Sequence, residues 1–270
     1  MMNPTTAINL TQKTDGANSK KLTKYCEFCG QELEQLKWGD NFYISAYKAC
    51  ECEESKKARA EVERLKAQKQ KEEKIKYLYE KSAMSKRARN CKFLNYQLNI
   101  YNSDAYKICR EYAENFDKIK NKAKNGLFIA GECGVGKSHI AFATANELIE
   151  NEKRVICTSM IDLLADLRGN FQNSVTEVDT LAKYTNCELL IIDDLGKEKP
   201  TEWALQMIYS IVDHRYNELK PIIVTTNYTA TDLIKRFTVS NDNATASAII
   251  DRLYEMCQYL PLRGESFRKR

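Results

Sequence analysis

No stretch of this 270-residue chain approaches the run of about 18–20 apolar residues that a membrane span requires. Met1 to Lys20 is mainly polar rather than charged and then apolar, so no secretory signal is expected and the expected location is cytoplasmic. Paired cysteines are sparse. Cys91, Cys109, Cys133, Cys157, Cys187 and Cys257 stand singly, as in reduced intracellular proteins, which argues against a disulfide framework. Glycine and proline are missing from Glu53 to Asn90, so that stretch holds no turn residue of either kind and is left to Lys, Glu, Ala and Arg, all good helix formers. Net charge is also low, at +5, so composition permits a nucleic-acid partner without demanding one.

What is present divides the chain. Residues 1–20 carry too little apolar surface to bury and are read as a disordered tail. Residues 21–52 form a short, aromatic, cysteine-bearing module that needs a staple to fold. Residues 53–92 are a basic helical linker without a sustained heptad seam. Residues 93–270 alternate apolar runs with amphipathic stretches, the pattern of an α/β domain with a parallel sheet covered on both faces. Strands are predicted near 127–130, 154–158, 189–192, 221–226 and 259–262. Helices are predicted near 103–119, 139–150, 160–168, 203–219, 231–237 and 246–257.

The run Gly131-Glu132-Cys133-Gly134-Val135-Gly136-Lys137-Ser138 matches G-x-x-x-x-G-K-[ST] between an apolar strand and an amphipathic helix. Its glycines let successive backbone N–H groups face a phosphate, and the helix that begins here and continues through His139 adds its positive end. Residues 131–139 are therefore the predicted ATP-binding segment, with Lys137 on the β- and γ-phosphates and Ser138 on magnesium. About 55 residues later the apolar strand Leu189–Ile192 ends in two carboxylates. Asp193 is placed on magnesium and Asp194 on the attacking water, a position where many such ATPases carry Glu; the shorter side chain leaves hydrolysis plausible but slow. Asn227 follows the strand ending in Thr225-Thr226, at the edge where open α/β sheets place their chemistry, and is expected to orient the water.

Cys26-x-x-Cys29 and Cys50-x-Cys52 offer four thiolates to one tetrahedral ion, the ligand set of a closed structural zinc site. Four protein ligands leave no open position for substrate, so the module is expected to fold and bind rather than react. From Lys56 to Lys92 there are 14 Lys or Arg against 5 Glu, an excess larger than the charge of the whole chain. Two readings stand for this run: a solvated helix face, or contact with DNA phosphates or an acidic protein surface. Only Tyr77 and Tyr79 interrupt it with rings, so stacking on exposed bases is not indicated.

Taken with Asp251-Arg252-Leu253 and Gly264-Glu265-Ser266-Phe267-Arg268, the loop, the Asp193-Asp194 strand and Thr225-Thr226-Asn227 resemble the AAA+ family of DnaC/DnaI-type replicative helicase loaders, with IstB-like transposition helper ATPases as relatives. The resemblance spans about Arg89 to Arg270. It implies a five-stranded sheet of order 5-1-4-3-2, self-assembly, ATPase activity that is slow and stimulated by assembly or DNA, and a protein that places a hexameric DNA helicase on single-stranded DNA. By the same resemblance Asn227 is sensor 1, Arg252 an arginine finger offered to a neighbouring subunit and Arg268 sensor 2. The zinc module is expected to contact the helicase, and Phe93 to Tyr96 to pack by the adenine. The alternatives are a transposition helper acting on duplex DNA with a transposase, and a nucleotide-controlled adaptor with negligible hydrolysis. A kinase is disfavoured because no substrate lid is evident.

Overall fold

The computed structural model describes residues 22–38, 42–170, 177–240 and 243–267; the expected tail at 1–20 lies outside them. The chain forms two compact units that divide at Gln70/Lys71.

The first unit holds two short antiparallel hairpins, β1 (Lys24–Tyr25) with β2 (Glu32–Leu33) and β3 (Gln35–Trp38) with β4 (Phe42–Tyr47). Helix α1 (Glu53–Lys81) follows without interruption for 29 residues. It ends before the Asn90 limit suggested by composition because Ala83 has φ 58°, a left-handed angle no helix can pass through. The unit division falls inside α1, well ahead of residue 92. The apolar side chains within the basic run explain this: Leu78, Met84 and Ala88 are buried in the core of the second unit. The short helix α2 (Lys86–Arg89) is capped by Ser85, whose hydroxyl accepts the Ala88 N–H at 3.2 Å.

In the second unit, the helix expected over 103–119 is broken at Asn115 into α3 (Ser103–Glu114) and α4 (Phe116–Ile119). There follow β5 (Gly126–Gly131), α5 (Lys137–Glu150), β6 (Val155–Ser159), α6 (Met160–Asn170), α7 (Glu177–Asn186) and β7 (Leu189–Leu195). The chain continues through α8 (Glu202–Asn217), β8 (Ile222–Thr226), α9 (Ala230–Phe237), α10 (Ala244–Met256) and β9 (Cys257–Leu262). Helix α7 was not foreseen, since most of its residues are polar. The five strands pair in parallel in the order β6-β7-β8-β5-β9, which is the expected 5-1-4-3-2 when the sheet strands are counted along the chain.

Strand alternation sorts the core into two layers. Leu127, Ile129, Leu189, Ile191 and Ile223 face α3 and α5, while Phe128, Leu190, Ile192, Ile222 and Val224 face α6, α8 and α10. A sheet buried on both sides fixes the carboxyl ends of its strands as a rigid edge, and the predicted site residues emerge there. Among the described residues no helix is long and apolar enough to cross a membrane.

Candidate functional site

The loop from Gly131 leaves the end of β5 and enters α5 at Lys137, as the sequence indicated. Gly134 and Gly136 sit at φ 86° and 100°, angles that side chains other than glycine rarely adopt. At Gly134 space is lacking too: an added Cβ would lie 2.1 Å from Ser266 Oγ. The Phe267 N–H donates to the Gly134 carbonyl at 3.0 Å, so residues beyond β9 close over the loop. Lys137 is buried, and its ammonium donates to the Glu132 carbonyl at 2.7 Å, which draws it back over the loop it terminates. Cys133 and Glu132 are exposed, whereas Val135 is buried beneath the turn.

Asp193 lies in register with Ser159 of β6 at the carboxyl edge, with the Ser138 hydroxyl beside its carboxylate. Thr225, fully buried on β8, donates to Asp193 Oδ1 at 2.6 Å and accepts the Asp194 N–H at 2.9 Å. Burial, helped by the neighbouring charge of Asp194, holds the Asp193 carboxyl above the usual carboxylate range, against the hydrogen bond from Thr225, the nearby Ser138 hydroxyl and the Lys137 charge. A hydroxyl and a desolvated carboxylate in contact beside a lysine fit a magnesium ion, whose charge would relieve that desolvation.

Asp194 has φ 56°, and the β7–β8 register breaks between Ile192 and Leu195. This bulge turns successive carboxylates in different directions, so Asp194 is presented separately from Asp193. Its carboxylate has Lys197 Nζ at 3.8 Å. Asn227 is exposed immediately beyond β8, on the same edge.

Arg252 turns toward α8. Its guanidinium pairs with Asp213 Oδ1 at 2.8 Å, donates to the Tyr209 hydroxyl at 3.2 Å and lies 5.1 Å from the Tyr209 ring centroid. Arg268 lies outside the described residues. His139, in the first turn of α5, points its Nε2 at the Lys92 carbonyl (3.2 Å) and Asn95 Oδ1 (3.0 Å), so that nitrogen carries the proton. The Tyr96 ring meets His139 edge-on with centroids 5.2 Å apart, which puts the expected lead-in segment against the start of the phosphate-binding helix.

In the first unit, the sulfur atoms of Cys26, Cys29, Cys50 and Cys52 all lie within 4.8 Å of one another. The Cys26–Cys52 and Cys29–Cys50 sulfurs are 3.8 and 3.4 Å apart. A tetrahedral zinc with bonds of ~2.3 Å places its sulfurs ~3.8 Å apart, so the cluster fits that ion. Backbone N–H groups of Cys29 and Phe28 aim at the Cys26 sulfur and lower its thiol to about 7, whereas Cys52, despite the Ser55 N–H, is pushed up to about 12 by desolvation and the neighbouring sulfurs, so four thiolates call for a cation among them. The Gly30 N–H closes the turn on the Cys26 carbonyl at 2.9 Å.

Thr225 and the closing segment at Ser266-Phe267 were not among the predicted site residues. A threonine at the end of a β-branched strand reads as an ordinary strand former, and only its complete burial beside two carboxylates marks it.

The sheet order and the loop define a P-loop domain of the AAA+ class. The profile of the family described as IstB-like ATP binding protein matches residues 44–270, and the chain belongs to that family. It is 32% identical over 162 residues to the uncharacterized protein YqaM of Bacillus subtilis, covering 57% of this chain and 48% of that protein. It is 30% identical over 164 residues to the replicative helicase loader DnaC of Escherichia coli, covering 60% of this chain and 65% of that one. The chain thus spans between about half and two thirds of the length of these relatives. A crystal structure of the DnaC helicase loader superimposes with a TM-score of 0.56 at 28% identity, covering 66% of this chain and all of that one. DnaI superimposes at 0.59 with 21% identity over 67% of this chain and 95% of that one, a likeness of fold.

Proposed function

We propose that this protein is an ATP-dependent loader that binds a hexameric replicative helicase in the cytoplasm and helps place it on single-stranded DNA. The observation that carries the reading is the convergence of the Gly131–Ser138 loop, the Ser138–Asp193 contact and Asn227 on one rigid sheet edge, in a chain similar to DnaC. In this reading the loop amides and Lys137 hold the ATP phosphates, and Ser138 and Asp193 hold magnesium, which supplies charge neutralisation at the phosphates. Asp194 and Asn227 orient the attacking water. Asp194 must act from a shorter side chain than Glu, so basal turnover is slow.

Arg252 serves a neighbouring subunit, where a planar, permanently charged fork suits a phosphoryl group gaining charge. Its ion pair with Asp213 must then open on assembly, which makes turnover depend on self-association. Arg268 completes the site as sensor 2. The zinc cluster folds the N-terminal module, and that module selects the helicase.

The test is phosphate release by the full-length protein with magnesium, alone, with single-stranded DNA, and with DNA plus a hexameric helicase. Release should rise at each addition, and ATP-dependent capture should recover the helicase. Arg252→Ala should keep ATP binding and lose the assembly-dependent part; normal turnover would refute its role. The IstB-like family match supports a second reading, a transposition helper on duplex DNA. Recovery of a transposase instead of a helicase would select it.

A further inference from the structure

We propose that Arg236 is a positioning residue for ATP hydrolysis, clamping the loop that carries Asp194 to the loop that carries Asn227; this rests on the hydrolytic reading above. Arg236 lies in the last turn of α9, and its guanidinium makes three contacts at once. Nε donates to the Gly196 carbonyl, Nη2 donates to the Lys197 carbonyl at 2.9 Å, and the guanidinium carbon lies 4.3 Å from the Tyr228 ring centroid. Gly196 and Lys197 lie two and three residues after Asp194, in a turn closed by the Lys197 N–H on the Asp194 carbonyl at 3.2 Å. Tyr228 is the residue after Asn227. One side chain thus bridges the two segments that hold the water-orienting groups.

The bridge matters because the sheet does not hold these loops by itself. The β7–β8 ladder is interrupted between Ile192 and Leu195, and Asp194 sits in the left-handed region, outside the regular strand. From the sheet side, Thr225 binds the Asp194 N–H, and Thr226 donates to the Leu195 carbonyl at 2.8 Å while accepting the Tyr228 N–H at 3.2 Å. From the outer side Arg236 supplies the matching grip. Packing backs it up, since a Cβ added at Gly196 would lie 2.3 Å from Leu233 Cδ2 on the same helix and 3.1 Å from Tyr228 Cδ2. A lysine cannot reproduce the grip, because two carbonyls and a ring face call for a planar fork.

The experiment compares full-length wild type with Arg236→Lys and Tyr228→Leu. It measures Mg-ATP affinity at equilibrium, turnover with single-stranded DNA and a hexameric helicase, and thermal melting. Misplacement of a reacting group by about 1 Å costs ~100-fold, so Arg236→Lys should lower kcat by ~10- to 100-fold while ATP affinity stays within ~3-fold. Tyr228→Leu should give a smaller loss of the same kind. A kcat within ~2-fold of wild type in Arg236→Lys would overturn the proposal, as would a loss of ATP affinity as large as the loss of kcat. A wild type that releases no phosphate under any of these conditions would instead overturn the hydrolytic reading beneath it.

Discussion

Asp193 illustrates how one side chain is placed at the expense of the empty protein. Burial raises its proton affinity, so its ionised form weighs against the native state. For an acid whose folded value is raised, the stabilising contribution exists at low pH and is lost as pH rises through that value; at neutral pH the charge is a liability until a cation meets it. Asp193→Asn keeps an acceptor for Thr225 and Ser138 while removing the charge. It is expected to stabilise the nucleotide-free protein by about 0.5–2 kcal/mol and to abolish the extra stabilisation that Mg-ATP gives wild type over ATP alone, both read in thermal melts. An unchanged melting temperature without nucleotide would contradict this. At Arg252 the partly exposed pair with Asp213 is worth little by itself, so Asp213→Asn should cost under about 1 kcal/mol in urea unfolding and leave ATP affinity unaltered. The loop and Asp193 were legible because each belongs to a contiguous motif beside an apolar strand. Thr225, Asp213 and Arg236 were not, because each gains its role from a partner far away in the chain.

Among the elements, helix α1 shows where composition misleads. A run of helix formers without glycine or proline predicts continuation to about Asn90, but nothing in propensity reveals that Ala83 adopts φ 58°. The break turns the chain so that Met84 and Ala88 reach the core, and the Ser82 carbonyl accepts the Cys157 N–H of β6 at 2.8 Å. A left-handed alanine costs about 1–2 kcal/mol and glycine in the unfolded chain recovers part of that, about 0.5–1 kcal/mol. Ala83→Gly is therefore expected to stabilise the second unit by about 0.5–1 kcal/mol, raising the urea midpoint; a lowered midpoint would show that the angle is not what stops the helix. The sheet strands were readable because a two-sided parallel sheet demands unbroken apolar runs, and helices α5, α8 and α10 because they fill the crossovers between such runs. Helix α7 and the split at Asn115 were not, since most residues of α7 are polar and the spacing of Tyr106, Cys109, Tyr112, Ala113 and Phe116 does not mark Asn115 as a break.

At the scale of the whole molecule, the division at Gln70/Lys71 puts the four-cysteine cluster and the Gly131–Ser138 loop in separate compact units. The full-length protein is expected to hold one zinc per chain by elemental analysis. Cys26→Ser with Cys50→Ser, or treatment with a strong chelator, should abolish metal binding and order in the first unit, read by amide exchange, while ATP affinity stays within ~2-fold, because structural zinc energy is folding energy for the unit that holds it. Equal loss of ATP affinity would mean that the two cores are not independent. The fold class and the strand order implied by resemblance were visible in the sequence; where the two compact units divide was not, because that depends on which lysine-rich turns of one helix also carry a buried leucine. The strand order has a further consequence during synthesis. Strand β5 emerges first of the five but lies between β8 and β9, the last two to be made. A ribosome must therefore pass Leu262 before both edges of β5 can pair, and until then the strand that launches the phosphate loop has open edges, the state most exposed to misassociation. Nucleotide can secure the nascent domain only after β9 has been made.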